Sequence, residues 1–410
     1  MKGFTTKAIH AGSRGRDVHG ALRVPVYDCV AFEQESGRAI QLAFEGKKPT
    51  HTYSRITNPT IEDLEQKMLQ LSGGRAALAV ASGMAAISNT ILTLAGAGDN
   101  IVTSPHIFGN TLSLFEKTLQ PWGLEVRLVS MSDPVQVADA IDSRTSAVFL
   151  ESITNPQLEV ADCKALSRIT REKKVPLVLD NTVMTPYLFN SREFGVDIEI
   201  LSSTKYISGG ATSVGGIIID TGNFDWGCSA KLHSWTKTSG QFAFLAAMRR
   251  EIYRNIGACM SPHNAYLQSL GLETMALRID KSCENALELA RFLATKPQVT
   301  GVDYPGLKKS ACHLIARQQF NNKFGGLLTF DLESKERCFA FMDTMRIIRR
   351  ATNVNDNKTL ILHPSSTIFS EFPEKRKTEL GVRPTMLRLS VGIEDVEDLV
   401  DDLEKGLRTL

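Results

Sequence analysis

Between about residue 76 and residue 220, short apolar runs alternate with amphipathic or polar stretches. Each run is a few residues long and rich in Val, Ile or Leu, and the runs cover residues 76–80, 100–104, 125–130, 146–150, 176–179, 198–201 and 215–219. Helical patterns such as 161–174 lie between some of these runs. Such alternation is typical of βαβ units, so it predicts a mainly parallel sheet that is buried on both faces.

The region before this sheet follows another pattern. Prolines and glycines interrupt residues 1–60, which show no long helical period and therefore predict an extended arm. The tetrapeptide Thr60-Ile61-Glu62-Asp63 predicts a capping box that opens a helix with an apolar stripe at helical spacing. The residues of that stripe are Ile61, Leu64, Met68 and Leu71.

A third pattern begins near residue 256. Residues 267–293 predict one long helix, residues 325–332 a strand with polar flanks, and the C-terminal residues an amphipathic helix. The apolar stripe of that last helix consists of Val396, Leu399, Val400, Leu403 and Leu407. We therefore predict an N-terminal arm (1–60), a large α/β domain (61–255) and a smaller α+β domain (256–410).

Composition narrows the class of protein. The 410 residues are 42% hydrophobic and 22% charged, as in ordinary globular proteins, and the formal net charge of +2 calls for no nucleic-acid partner. The seven cysteines are scattered without a CxxC pair, so neither a disulfide framework nor a metal site is predicted. No signal-peptide core and no apolar run of about 18 residues occurs, which excludes a membrane-spanning helix and leaves the cytoplasm as the expected location.

Lys205 follows the apolar run 198–201 and the small residues Ser202, Ser203 and Thr204. Most lysines are surface charges, and that interpretation stays open on spacing alone. However, the carboxyl end of a buried strand is where α/β proteins form ligand sites. A desolvated lysine loses its proton readily and can attack an aldehyde, so Lys205 is a candidate for a Schiff-base lysine.

Asp180 follows the preceding apolar run, 176–179, in the same manner. Pyridoxal phosphate (PLP) needs an acidic partner at its pyridine nitrogen, because the protonated ring acts as an electron sink. Asp180 and Lys205 at consecutive strand ends fit that requirement. A turn or a helix N-cap is the alternative role for such an aspartate.

A phosphate group would need a site of its own. Residues 80–87 pass from a strand through Ser82-Gly83 into a predicted helix. Backbone N–H groups at a helix start, with the positive end of the helix dipole, suit a phosphate. Ser202 and Thr204 could add hydroxyl donors, although an ordinary tight strand–helix turn remains the alternative interpretation of this segment.

Six motifs in order resemble the cystathionine γ-synthase group of PLP enzymes, which act in cysteine and methionine metabolism. They are TYSRITNPT (52–60), ASGMAA (81–86), ESITNP (151–156), DNT (180–182), SSTKY (202–206) and RLSVGIE (388–394). The resemblance covers nearly the whole chain. It implies a PLP-dependent transferase of fold type I, with an aminotransferase-like α/β domain and a smaller α+β C-terminal domain.

The resemblance also implies a role for each matching residue. Lys205 would hold the cofactor and later shuttle protons, and Asp180 would pair with the pyridinium. The planar guanidinium of Arg388 would bind the substrate's α-carboxylate with help from Asn353, although a structural salt bridge is the alternative role for Arg388. The other cofactor contacts within the same subunit would be Ser82, Gly83, Met84, Phe108, Asn155, Ser202 and Thr204.

Tyr53 and Arg55 would reach the phosphate of a neighbouring subunit, according to the same resemblance. A dimer would then be the minimum working unit, and a dimer of dimers is the expected assembly. Tyr53 is also a catalytic candidate, because its hydroxyl could serve the reaction.

Phe108 stands where most relatives carry a tyrosine that stacks on the cofactor and helps the departing group at the substrate's γ-carbon. Phenylalanine can stack but cannot donate a proton, and general acid help is typically worth about 10²–10⁴-fold. A carboxylate that leaves from an acylated homoserine needs this help less than a departing thiolate does. We therefore expect O-acetyl- or O-succinylhomoserine as substrate, unless Tyr53 supplies the missing hydroxyl.

Further motifs resemble the sulfhydrylase branch, namely residues 271–278, 353–356 and 363–367. Asn110 stands where a methionine γ-lyase would usually show cysteine. Two residues do not match the sulfhydrylase pattern, because Phe369 and Gly210 each occupy a position where relatives tend to carry histidine. The pocket could therefore accept an unusual nucleophile or substrate.

The resemblance thus implies γ-replacement, in which the acyl group leaves and sulfide or a thiol adds, giving homocysteine or a thioether. Cystathionine γ-synthase and methionine γ-lyase activities are the nearest alternatives. An aminotransferase or a non-catalytic PLP-binding protein is a more distant one. The expected partners are the amino-acid substrate, the sulfur donor and further copies of the chain, with no nucleic acid, membrane or metal.

Overall fold

The computed structural model describes residues 2–12, 17 and 19–410. The strands of its larger sheet are β1 (Ala76–Val80), β2 (Asn100–Thr103), β3 (Glu125–Leu128), β4 (Thr145–Glu151), β5 (Leu177–Asp180), β6 (Ile198–Leu201) and β7 (Gly216–Asp220). They lie in the order β3-β2-β4-β5-β6-β7-β1, and every pair is parallel except the two that β7 forms. All seven strands fall on the apolar runs of the sequence.

This sheet is buried on both faces, as the apolar runs predict. Leu177 and Leu179 of β5 belong to one hydrophobic core, whereas Val178 between them belongs to a second core on the opposite face. Successive side chains of a strand point to opposite faces, so an uninterrupted apolar run requires cover on both.

Helices provide that cover and connect the strands. They are α1 (Phe4–His10), α2 (Gly37–Phe44), α3 (Pro59–Ser72), α4 (Gly83–Leu94), α5 (Gly109–Ser113), α6 (Pro134–Ala140), α7 (Cys163–Glu172), α8 (Thr185–Leu188), α9 (His233–Ser239), α10 (Ala243–Ala247), α11 (Arg254–Ile256), α12 (Pro262–Glu273), α13 (Met275–Leu293), α14 (His313–Gln319), α15 (Lys335–Thr344), α16 (Glu374–Glu379) and α17 (Val396–Leu407). π-Helical turns continue α5 at Leu114–Leu119 and α10 at Met248–Tyr253.

Helix α3 begins two residues earlier than the predicted capping box at Thr60 implies. Its N-cap is Asn58, whose side chain accepts the backbone N–H of Thr60, and Pro59 occupies the first helical position. The predicted capping box at Thr60 is wrong, because the Thr60 hydroxyl instead donates to the carbonyl of Pro25 in the arm. The predicted apolar stripe is buried along its whole length.

The smaller sheet consists of β8 (Gly301–Asp303), β9 (Leu327–Asp331), β10 (Arg349–Arg350), β11 (Leu360–Leu362) and β12 (Met386–Ser390). Its order is β10-β11-β12-β9-β8, with only β10 and β11 parallel. The long helix predicted over 267–293 is wrong, because the chain breaks at Thr274 into α12 and α13. α12 packs on α3, whereas α13 packs on α17.

Among the described residues before α3, the chain contains helices α1 and α2 and is otherwise irregular. An isolated β-bridge joins Ala31 to Tyr53. Across the described residues, no helix combines the length and the apolar character needed to cross a membrane. The same residues hold no cluster of three or more side chains that could bind a metal ion.

Two carboxylic acids are buried next to the core of the larger sheet. Glu199 in β6 is 1% exposed, and its Oε1 accepts a 2.7 Å hydrogen bond from Asn181. Burial raises the pKa of Glu199 from 4.5 to about 7, and burial likewise raises the pKa of Asp197 to about 7. In the folded protein both acids are therefore mostly neutral below about pH 7.

A carboxyl pKa that folding raises stabilises the protein below the unfolded-state pKa, and this contribution is lost as the pH rises through the folded-state value. We expect Glu199 alone to lower the free energy of unfolding by about 3 kcal/mol between pH 4.5 and pH 8. Glu199→Gln should remove that part of the pH dependence in urea unfolding, while Asp197 titrates equally in both proteins. The exposed Glu193→Gln is the control, and parallel curves for Glu199→Gln and wild type would contradict the prediction.

Candidate active site

A cavity of about 230 Å³ lies at the carboxyl ends of β4, β5 and β6, beside the first turn of α4. Loops that follow parallel strands converge at this edge of a sheet, which is where α/β proteins bind ligands. Ten of the residues predicted for the site line the cavity, namely Ser82, Gly83, Met84, Phe108, Asn155, Asp180, Ser202, Thr204, Lys205 and Arg388.

Lys205 lies in the turn after β6, where its Nζ donates a 2.6 Å hydrogen bond to Oδ1 of Asn353. The pKa of Lys205 is lowered to about 8, first by burial and then by the charge of Arg388, while Asp356 and Asp180 oppose both effects. A lysine with this pKa spends an appreciable fraction of its time as the free amine, which is the form that attacks a carbonyl carbon. This setting differs from that of a plain surface lysine.

Asp180 is the last residue of β5 and lines the same cavity. Its Oδ1 accepts the backbone N–H of Thr182 at 3.0 Å and the Thr182 hydroxyl at 2.5 Å. Asp180 caps no helix, since α8 begins at Thr185. Burial raises the pKa of Asp180, while the bonds from Thr182 and the charge of Lys205 lower it. A cationic ring nitrogen against this carboxyl group would favour the ionised form.

The start of α4 lines the cavity through Ser82, Gly83 and Met84. Ser82 caps the helix by accepting the backbone N–H of Ala85, which leaves the N–H groups of Gly83 and Met84 without intrahelical acceptors. A Cβ on Gly83 would stand 2.6 Å from Cβ of Ser202, so only glycine allows this close approach. The cradle fits an anion held by backbone N–H groups.

Thr204, the other predicted hydroxyl donor, lines the cavity, but its hydroxyl already makes two hydrogen bonds within the protein. Its hydroxyl donates to the carbonyl of Gly215 at 3.2 Å and accepts the backbone N–H of the same glycine at 3.1 Å. Any further contact from Thr204 to a phosphate would have to share or replace these bonds.

Arg388 enters the cavity from β12 of the smaller sheet and is only 2% exposed. Its Nη1 donates to Oδ1 of Asn155 at 2.9 Å, its Nη2 donates to the carbonyl of Asn353 at 3.2 Å, and its Nε has no partner. Burial lowers the pKa of Arg388 to about 9. Within the described residues Arg388 forms no ion pair, so the salt-bridge alternative has no support here. A buried cation without a carboxylate is suited to an incoming one.

Tyr53 and Arg55 lie outside this cavity. Both residues are exposed, Arg55 donates to the carbonyl of Arg254 at 2.7 Å, and its guanidinium carbon lies 5.2 Å from the centroid of the Tyr53 ring. The chain therefore does not bring Tyr53 into its own cavity, where its hydroxyl could replace the one that Phe108 lacks.

Phe108 lines the cavity just before α5. The two positions that depart from the sulfhydrylase pattern lie elsewhere, since Phe369 is fully buried in the second core and Gly210 abuts Asn357. Asn110, which stands where a methionine γ-lyase would usually show cysteine, is exposed on α5. At Gly210 a Cβ would stand 2.6 Å from Nδ2 of Asn357, and φ is +118°, so a histidine in this backbone would be strained.

Sequence reasoning missed Glu151 and Thr182, which both line the cavity. The available signal for Glu151 was a charged residue at the end of a buried strand, directly beside the strand of Asp180. Thr182 stands two residues after Asp180 and, besides its bonds to that carboxylate, accepts the backbone N–H of Ser202 at 2.7 Å. It therefore fixes the ends of β5 and β6 relative to each other.

The model of the family described as Cys/Met metabolism PLP-dependent enzyme matches residues 5–408. The chain belongs to this family. It is 38% identical to O-acetyl-L-homoserine sulfhydrylase 1 of Thermus thermophilus, over 98% of this chain and 99% of that one. It is similar to the O-acetylhomoserine sulfhydrylase of Wolinella succinogenes, which acts in sulfur transfer for methionine biosynthesis, with 45% identity, a TM-score of 0.79 and coverage of 99% and 100%.

A third similar structure, from Campylobacter jejuni, is assigned as an O-acetylhomoserine (thiol)-lyase. It shares 32% identity with a TM-score of 0.92 over 99% of both chains, and it carries a pyridoxyl-lysine phosphate at its own position 205. As a family member, the present chain is an enzyme of fold type I that uses PLP.

The cavity has the donors and acceptors that PLP needs. Gly83, Met84 and Ser202 would hold the phosphate, and Asp180 would face the ring nitrogen. The ring of Phe108 is available for stacking. When bound at Lys205, PLP supplies an electron sink for the α-carbon of an amino acid.

Proposed function

We propose that this protein replaces the acyloxy group of an O-acylated homoserine, such as O-acetylhomoserine, with sulfide or a small thiol. The products are homocysteine or a thioether, together with the free carboxylic acid as its anion. One observation carries the proposal: Lys205, Asp180 and Arg388 line one cavity beside a phenylalanine, in a chain that is similar to O-acetylhomoserine sulfhydrylases over its whole length.

Arg388 binds the α-carboxylate of the substrate in this proposal. The guanidinium is held rigidly by Asn155 and Asn353, and its Nε remains free for one of the two bonds of a bidentate pair. Rigid binding of this end fixes the α-carbon beside Lys205, which lowers the entropy cost of reaching the reactive geometry.

Lys205 moves protons at the substrate carbons. Its lowered pKa makes the released amine a competent base near neutral pH for the α-proton and then for a β-proton. Asn353 accepts a hydrogen bond from Nζ and thereby orients the amine. The bond between the γ-carbon and oxygen then breaks, the acyl group departs as a carboxylate, and a bond between the γ-carbon and sulfur forms.

Tyr53 and Arg55 complete the phosphate site of a second copy of the chain in this proposal. Both side chains are exposed and lie outside the cavity of their own chain, so they are available to a neighbouring molecule. The working form is accordingly a homo-oligomer, with a dimer as its smallest unit.

Product identification tests the reaction. Purified enzyme with O-acetylhomoserine and sulfide should yield homocysteine and acetate in equal amounts, measured by mass spectrometry and chromatography. Parallel reactions should contain O-succinylhomoserine and sulfide, O-acetylhomoserine and cysteine, or methionine alone. Faster release of 2-oxobutanoate from methionine would assign the chain as a lyase, and faster formation of cystathionine would assign it as a cystathionine γ-synthase.

Phe108→Tyr tests why the acyl leaving group is preferred. The added hydroxyl can protonate a departing thiolate, so we expect γ-elimination from methionine to rise by about 10-fold or more. Acyl replacement should stay within about 3-fold, because a carboxylate leaves without that help. The ratio of kcat/KM for the two substrates is the measurement.

The control is Phe339→Tyr, which adds a hydroxyl to an exposed ring of α15 outside the cavity. An unchanged substrate ratio in Phe108→Tyr would contradict the role given to the missing hydroxyl.

A further inference from the structure

Glu151 is the last residue of β4, lines the cavity and is 7% exposed. Its partner in the register of the adjacent strand β5 is Asp180, so the two carboxyl groups stand side by side at the same edge of the sheet. Two neighbouring acids at one site are costly when both are ionised. A contact with the ring nitrogen requires only one carboxylate. The second buried acid at this place must therefore have another role.

The two oxygens of Glu151 bind two different loops. Oε1 accepts the backbone N–H of Phe108 at 2.7 Å, and Oε2 accepts the backbone N–H of Asn155 at 3.2 Å. Both donors belong to residues that line the cavity. One side chain therefore joins the loop before α5 to the loop after β4.

Further hydrogen bonds extend this connection to the reactive lysine. Oδ1 of Asn155 accepts Nη1 of Arg388 at 2.9 Å, and the carbonyl of Asn353 accepts Nη2 of the same arginine at 3.2 Å. Oδ1 of Asn353 in turn accepts Nζ of Lys205 at 2.6 Å. A displacement of the Asn155 loop would therefore shift the guanidinium of Arg388, which would bind the substrate carboxylate.

The protonation state of Glu151 fits a role as a hydrogen-bond acceptor better than a role as a negative charge. Burial, and then the neighbouring Asp180, raise the pKa of Glu151 well above its ordinary value, while the two backbone N–H groups lower it. The neutral acid still offers lone pairs to both N–H groups. It also leaves the single negative charge of the pair to Asp180, where a cationic ring nitrogen would lie.

We infer that Glu151 is a positioning residue that holds the Phe108 loop and the Asn155 loop at a fixed separation. This fixes Phe108, whose ring would stack on the cofactor, relative to Arg388, whose guanidinium would bind the substrate carboxylate. This inference rests on the proposed function for the identity of the substrate, but not for the contacts with the cofactor.

Glu151→Ala and Glu151→Gln test the inference. Alanine removes both acceptors, and we expect the dissociation constant of PLP and the KM of the amino-acid substrate each to rise about 10-fold. The visible circular dichroism of the bound cofactor should fall markedly, because the ring loses its fixed asymmetric contact. Glutamine keeps one acceptor and should shift both constants by only about 3-fold.

Glu159→Ala is the matched control, since Glu159 joins the same two loops through His106 at the surface, where Nδ1 lies 2.9 Å from Oε1. It should change each constant by less than about 2-fold. Far-UV circular dichroism and the Tm establish whether each variant is folded. If Glu151→Ala does not fold, Glu151→Gln decides the question, because wild-type values for cofactor affinity, visible dichroism and KM in that variant would overturn the inference.

The cofactor measurements need no substrate, so the two proposals fail separately. A wild-type enzyme that makes no homocysteine, together with Glu151 variants that bind PLP loosely, would reject the reaction and retain the positioning role. Homocysteine formation by the wild type, together with unchanged cofactor binding, dichroism and KM in folded Glu151→Ala, would reject the positioning role and retain the reaction.

Discussion

Lys205→Ala should lower kcat for acyl replacement by about 10⁴-fold, because one side chain both binds the cofactor covalently and moves the protons. The loss of a partly buried amine that makes one hydrogen bond, to Asn353, should leave the fold intact. Steady-state kinetics with O-acetylhomoserine and sulfide measure the effect. Borohydride reduction of wild-type enzyme followed by peptide mass spectrometry should place the phosphopyridoxyl group on Lys205.

Lys237→Ala is the control for this variant, since Lys237 is exposed on α9 and lies outside the cavity. It should keep wild-type kcat and should still be labelled at Lys205. Labelling of another lysine in the wild type, or more than about one tenth of wild-type kcat in Lys205→Ala, would reject the assignment.

Asp180→Asn should reduce kcat by about 10²–10³-fold, which is the usual cost of removing one preorganised charge from a buried reaction centre. The amide oxygen can still accept the bonds from Thr182, so the geometry of the strand end is retained. What is lost is the negative charge that keeps the ring nitrogen protonated. The absorbance of the bound cofactor and kcat should therefore change together, while the PLP dissociation constant changes less.

Asp139→Asn, which alters an exposed residue of α6, is the control and should behave as wild type. A rate within about 3-fold of wild type for Asp180→Asn would show that the charge at this position does not support catalysis. The role would then pass to another acid of the cavity, and Glu151 is the one that lies beside it.

Local sequence was sufficient for the strands of the larger sheet. Their side chains are buried on both faces, so each strand is an unbroken apolar run, and the polar residue after it stands out. That is why Asp180 and Lys205 could be placed at neighbouring strand ends. The start of α3 was also within reach of the local sequence, because Asn58 and Pro59 are residues that helices favour at the N-cap and at the first position. The break at Thr274 was not, because it separates two helices that pack on different elements, α12 on α3 and α13 on α17.

By itself, the sequence determined the parallel α/β fold, the family and the lysine–aspartate pair, since these depend on periodicity and on short motifs within single strands and turns. The tertiary structure alone decided that Arg388, from a strand of the other sheet, meets Asn155 and Asn353, and that Glu151 lies beside Asp180. It also decided that Tyr53 lies outside the cavity of its own chain. Such placements follow from sheet register and from the packing of segments far apart in the chain, and no local pattern of apolar and polar residues records them.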